Sequence, residues 1–167
     1  MKPLIILGSG RCVWDDLAIA VRLCPDGYDV MAINDVGMHY PHYLRYWYSN
    51  DGGMLARWAA ARRPAYPPCG GLWTNGAGGV VPEGVGVVDL VGGNSGVNAA
   101  LLGVRLGYRD ILLCGIPLDA SGWYFSPPWV NSSYDNECEL DEWARRRVVF
   151  KGIVRSMSGR IGSILED

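Results

Sequence analysis

Between residues 85 and 115 the chain reads as strand, glycine turn, helix, glycine stop and strand. An apolar run from Val85 ends at Val91, and Gly92, Gly93, Asn94, Ser95 and Gly96 follow it. A helical segment then begins near Val97 and closes at Gly107, and a second apolar run covers Ile111 to Cys114. This order is the outline of a βαβ unit and points to an α/β architecture. A small-residue turn at a helix N-terminus can also bring backbone N–H groups and the positive end of the helix dipole up against a phosphate or another anion.

The flanking segments read the same way. Leu4 to Leu7 is a short apolar run of the kind buried in parallel sheets, and Gly8-Ser9-Gly10 turns the chain after it. Asp15 or Asp16 opens a helix through Leu17, Ile19, Ala20 and Leu23 that ends before Pro25. Tyr28 to Ile33 and Tyr43 to Tyr48 read as strands, ending at Asn34-Asp35 and at Ser49-Asn50-Asp51. Gly53 to Arg63 reads as a helix stopped by Pro64. Residues 64–86, rich in Pro and Gly, read as loop with a short strand at Val80-Val81. A last helix is expected from Glu139 to Met157, its basic residues forming a solvated face. The polar and aromatic stretch at 117–138 is long for a connection in a compact domain, and reads as a lid over a site.

Alternating strands and helices predict a mostly parallel sheet with helices on both faces, a Rossmann-like three-layer sandwich. The 167 residues suffice for one domain with a substantial core, and neither a repeat nor a linker marks a second one, so residues 1–167 are expected to form a single α/β domain. The formal net charge of −2 provides no field for nucleic acid or an anionic membrane. No stretch approaches the length of a membrane span, and Leu4–Leu7 is too short for a signal-peptide core. Five scattered cysteines without a CxxC pair suggest thiols in a reducing cytoplasm rather than a disulfide framework or a zinc ribbon.

In parallel sheets ligands lie beyond the carboxyl ends of the strands. Here those ends carry Gly8-Ser9-Gly10, Asn34-Asp35, Ser49-Asn50-Asp51, Asn94-Ser95-Gly96 and Pro117-Leu118-Asp119, all small or polar. Gly8-Ser9-Gly10 is neither a full dinucleotide fingerprint, since Val13 stands where a glycine is required, nor a Walker loop. It can touch a phosphate or be a plain tight turn. Asn94 and Ser95 can cap a helix and still leave amides for an anion. Asn34-Asp35 and Asn50-Asp51 can meet a ribose, a base edge or a metal, or close their strands as Asx-turns. Asp119 is a candidate carboxylate for a metal or acid–base role, or a surface turn residue. The two histidines, His39 and His42, lack a third ligand nearby and read as part of a packing loop.

From Asn94 to Ile116 the chain resembles the bacterial sialyltransferases that build lipooligosaccharide, and the related MptE-like domain of archaeal 6-hydroxymethylpterin diphosphokinases. The shared pattern is Thr/Ser-Ser-Gly, an alanine-rich helix ending Leu-Gly-Tyr/Phe-Lys-Glu-Ile, and a strand ending Gly-Ile/Val-Asp. Leu4–Gly10 and Asp29–Asn34 agree with the family's first two strands, so the resemblance extends over residues 1–125. It implies a nucleotide site at Gly8, Ser9, Gly10, Asn34, Asn50, Asn94, Ser95, Gly96 and Gly115. The ligand it implies is a nucleotide-sugar for a glycosyltransferase, or ATP with magnesium for a diphosphokinase. A non-catalytic nucleotide-binding or protein-interaction module of the same fold is the third reading. The departures are Ser9 for Asn or Gly, Arg11-Cys12 for Pro-Ser, and Pro117 for Asp. The histidine base of the sialyltransferases also has no counterpart in residues 118–142. Asp119, Asp135 and Tyr124 are therefore the candidates for catalytic roles, and Trp123 and Trp129 suit either a substrate lid or a homo-oligomer contact.

Overall fold

The structure is a computed structural model that describes residues 2–62, 66–76, 79, 81–90, 92–119, 122–123 and 136–166. Seven strands form one sheet: β1 (Leu4–Leu7), β2 (Asp29–Ile33), β3 (Tyr46–Tyr48), β4 (Leu72–Thr74), β5 (Val85–Val87), β6 (Ile111–Cys114) and β7 (Val154–Ser156). Their spatial order is β5-β4-β3-β2-β1-β6-β7, and every pairing is parallel. At the centre, Leu4 is in register with Asp29 on one side and Ile111 on the other.

β1 and β6 are short and wholly apolar because both faces of the sheet are covered. Leu4 and Ile6 enter one core, with Met31, Ile111, Leu113 and residues of helices α3 (Ser95–Arg105), α4 (Asn136–Phe150) and α5 (Ile161–Glu166). Ile5 and Leu7 enter the other, with Val30, Leu112, Trp47 and residues of helices α1 (Val13–Leu23) and α2 (Gly52–Ala61). A 3-10 turn over Asn34–Met38 lies on this second side. The result is the expected three-layer α/β sandwich. Among the described residues no helix is long and apolar enough to cross a membrane.

The run from Val85 to Val91 proves to be divided. Among the described residues of this run only Val85–Val87 is strand, at the sheet edge, and β4, β3, β2 and β1 separate it from β6; Val91 lies outside the described residues. The next residues travel back over the sheet, with Val88 N–H bonded to the Thr74 carbonyl at 2.8 Å and Val88 and Leu90 buried in the first core. Helix α3 then lies on β1 and β2. The strand–helix–strand order holds, but the two strands are not neighbours. Apolar character in this run reports burial, which a crossing segment needs as much as a strand does.

Other differences have similar causes. The last helix ends at Phe150 rather than Met157: Gly152 takes φ +72°, which stops the helix and releases Val154–Ser156 to pair with β6. Leu72–Thr74, inside a segment read as loop, is a strand beside β3. Val81 is not in a strand, and Val80 lies outside the described residues. Strand β3 begins at Tyr46 instead of Tyr43, and α1 begins at Val13 instead of Asp15 or Asp16. Helix α3 ends as expected at a glycine. Gly107 N–H bonds to the Val104 carbonyl and Tyr108 N–H to the Gly103 carbonyl, a Schellman closure.

Candidate functional site

The strand order reverses between β1 and β6, so the turns leaving them diverge to opposite sides and open a crevice. A cleft of about 140 Å³ occupies this place, walled by the ends of β2, β1 and β6 and roofed by the start of α3 and Glu139 of α4.

The β1 and β6 turns interlock through their backbones. Gly8 N–H bonds to the Cys114 carbonyl and Gly10 N–H to the Gly115 carbonyl, each at 2.8 Å. A Cβ on Gly8 would stand 2.6 Å from the Gly115 oxygen, and one on Gly10 2.6 Å from Pro117 Cδ. The glycines are thus required by strand-end packing, whatever the cleft binds. Between them, the buried Ser9 donates its hydroxyl to Asp35 Oδ1 at 2.8 Å. Arg11 N–H bonds to the Gly122 carbonyl at 3.0 Å and Gly10 bridges to Trp123, which brings Gly122 and Trp123 to the rim.

Asn34 lines the cleft in a left-handed conformation, φ +54°. Its side-chain oxygen accepts from Ser49 Oγ at 2.9 Å and its carbonyl from the Trp47 indole at 2.6 Å, so β2 and β3 hold it from both ends. Asn50 does not line the cleft. Its Oδ1 accepts from Tyr48 and from the wholly buried Asn98, and its Nδ2 donates to the Gly93 carbonyl. Asp51 caps α2 by accepting from Met54 N–H at 2.9 Å. The Asn50–Asn98 contact therefore anchors the start of α3 to the end of β3.

At the start of α3, Asn94 is the N-cap, its Oδ1 accepting from Val97 N–H at 2.9 Å. Asn98 N–H begins the helical ladder at the Asn94 carbonyl. The N–H groups of Ser95 and Gly96, both in the cleft wall, have no acceptor among the described residues. The Asn94 amide nitrogen is buried and likewise without an acceptor there. Among the described residues the charged side chains of the wall are Asp119 and Glu139, and the positive contribution comes from the backbone dipoles at the start of α3.

Behind the β6 turn stands Asp16, 3% exposed. Its Oδ2 accepts from Gly115 N–H at 2.9 Å and from Ser158 Oγ at 2.7 Å. Cys12 Sγ lies 3.1 Å from Ser158 Oγ. Ser158 has one hydroxyl proton, and it goes to the carboxylate, so the Cys12 thiol is the donor in this second bond. Burial, opposed in part by the bond to Ser158, pushes the Cys12 thiol up to about 11, which keeps that proton in place.

One cleft thus gathers Gly8, Ser9, Gly10, Asn34, Asn94, Ser95, Gly96, Gly115 and Asp119 of the residues expected at the site. Asn50 stands behind it, and Tyr124, Asp135 and most of the expected lid at 117–138 lie outside the described residues. Neither His39 nor His42 reaches it, and His42 meets the Tyr40 ring edge-on at 5.5 Å. Among the described residues no group of three or more His, Cys, Asp or Glu is arranged to hold a metal ion.

Sequence reasoning passed over Glu139 as the first residue of the last helix, and Asp16 as a helix opener. Asp16 was detectable: Val13, Asp16 and Ala20 share a helical face, and all three are buried. No protein-family model matches the chain, and neither does any curated protein or solved structure.

Proposed function

We propose that this protein is a nucleotide-binding transferase that uses a nucleotide-sugar donor. The observation that carries this reading is the pair of N–H groups of Ser95 and Gly96, without an acceptor among the described residues, in the wall of a cleft at the strand-order reversal. Two such amides, with the helix dipole behind them, suit a phosphate oxygen. In glycosyl transfer the charge on that phosphate grows as the sugar departs. Donors already fixed in place stabilise it without reorganising. The resemblance of residues 94–116 to the sialyltransferases supports the same ligand class.

A second reading, diphosphate transfer from magnesium ATP, is favoured by the wall's charges. Asp119 and Glu139 both line the cleft. A magnesium ion keeps several waters and takes its other ligands from phosphate oxygens and one or two carboxylates, so these residues fit it. Asp119 and Glu139 would hold the ion, which would neutralise phosphate charge there.

A thermal-shift series with CMP, CDP, UDP, GDP, ATP and sugar nucleotides, each with and without magnesium, separates the readings. A ligand selective for the native state raises the melting temperature. A magnesium-independent shift with a pyrimidine nucleotide or its sugar form, lost in a folded Ser95→Trp variant, is the expected result. A shift with ATP only in magnesium, lost in Asp119→Asn, selects the diphosphokinase. No shift with any nucleotide at saturating concentration rejects both and leaves an interaction module.

A further inference from the structure

The segment after β7 contributes nothing to the cleft wall, yet it is bonded to the loop that forms that wall. Met157 N–H bonds to the Leu113 carbonyl at 3.0 Å and Arg160 N–H to the Pro117 carbonyl at 2.9 Å. Between them, Gly159 at φ +75° packs so tightly on Pro117 that a Cβ there would overlap the proline's backbone. Ser156 Oγ bonds to the Ser158 carbonyl at 2.7 Å, which shapes the turn and aims the Ser158 hydroxyl at Asp16. Asp16 in turn holds Gly115 N–H. The loop from Gly115 to Pro117 is thus gripped at both ends.

Immediately beyond the grip stands Leu118 at φ +47°. A branched residue in the left-handed region is strained, by about 1 kcal/mol or more, and persists only where its surroundings over-determine it. Asp119 follows and lines the cleft. A buried carboxylate is itself costly to desolvate, and among the described residues Asp16 has no ion-pair partner. Its hydrogen bonds to Gly115 and Ser158 offset that cost only in this arrangement of the loop.

We infer that Asp16 and Ser158 are a positioning pair. Together they hold Gly115 and, through it, the strained Leu118, so that Asp119 keeps its place in the cleft wall. Neither residue touches the ligand. The inference rests on the nucleotide reading for its effect on affinity, but not for its effect on the loop.

The test uses Ser158→Ala, Asp16→Asn and Asp119→Asn, together with the Ser158→Ala/Asp119→Asn double variant. Amide hydrogen exchange by NMR reads the loop with no ligand present. In Ser158→Ala the Gly115 amide is expected to lose protection while β1 and β2 keep theirs. Unchanged exchange at Gly115 in both Ser158→Ala and Asp16→Asn overturns the inference. Titration with CMP, UDP and ATP, with and without magnesium, then reads the site. Loss of a group that orients a ligand-contacting residue weakens binding by about tenfold, and Ser158→Ala is expected to do this. Once Asp119 is Asn the same substitution should weaken binding no further. Additive losses in the double variant indicate mere destabilisation and also overturn the inference. If the wild-type protein binds no nucleotide while the exchange result holds, the nucleotide reading fails and the positioning of the loop stands.

Discussion

The Gly115 amide donates to the buried carboxylate of Asp16 at 2.9 Å across 99 positions of sequence. This bond ties the first helix to the end of the sixth strand, directly behind the cleft. It fixes a residue that has no room to change: a Cβ on Gly115, at φ +70°, would lie 2.5 Å from Val13 Cβ and 2.7 Å from the Gly8 oxygen. Gly115→Ala therefore combines left-handed strain with overpacking, and should cost about 3 kcal/mol. Urea unfolding measures this directly. A variant within about 0.5 kcal/mol of wild type, the range of an ordinary surface substitution, would show that the two strand-end turns are not interlocked.

Asn98 is buried and donates to Asn50 Oδ1 at 3.0 Å, at the junction of α3 and β3. Asn98→Ala leaves Asn50 with a lost donor in a dry site and should destabilise by about 2 kcal/mol. Asn98→Asp should cost more, because it buries a charge at a wholly buried position. Chemical denaturation of the two variants gives the order, and the reverse order would refute the account of this junction.

The guanidinium of Arg62 lies over the rings of Trp47 and Tyr66 at 5.9 and 5.5 Å. It donates to the carbonyls of Gly37, His42 and Pro67. A planar group with several donors serves all of these at once, and an ammonium cannot. Arg62→Ala should lose about 2 kcal/mol, and Arg62→Lys should recover less than half of it. Full recovery by lysine in the same denaturation assay would reduce the contact to simple charge.

Cys12 fixes the sign of an alkaline effect. Its thiol, ordinarily at 9.0, is raised to about 11 in the fold, chiefly by burial. Between these values the unfolded chain releases the proton first. The contribution of Cys12 to stability is therefore complete below pH 9 and disappears as pH rises toward 11. Tyr40, raised by burial to about 12, continues the trend above that range. Unfolding midpoints taken from pH 8 to 11 should fall, and less steeply in Cys12→Ala. An equal slope in that variant would place the linked protons elsewhere.

Much of the architecture was legible because burial on both faces writes itself as unbroken apolar runs, as in Leu4–Leu7 and Ile111–Cys114. Glycine punctuation was legible where the helical pattern also ended, at Gly107. It was overlooked at Gly152, where Ile153 continued an apparent helical spacing up to what is a strand. Strand β4 was hidden because three residues in an edge region need little more than a neighbour's backbone. Most of the cleft was visible as small residues at strand ends. Asn50 shared that signature but stands one layer behind, since composition does not say which way a side chain turns. Glu139 was obscured by its distance along the chain, and Asp16 by a helix start placed two or three residues too late.

The sheet order has a consequence for biosynthesis. One edge of Leu4–Leu7 gains its partner when residues 29–33 emerge from the ribosome, but the other edge is completed only by residues 111–114. Until then a nascent chain carries a Leu-Ile-Ile-Leu edge open to foreign strands. The cleft acquires its second wall at the same late moment, and Ser158, which bonds to Asp16 behind that wall, follows Asp119 by 39 more residues (158 − 119). A cleft completed so late cannot template the early stages of folding.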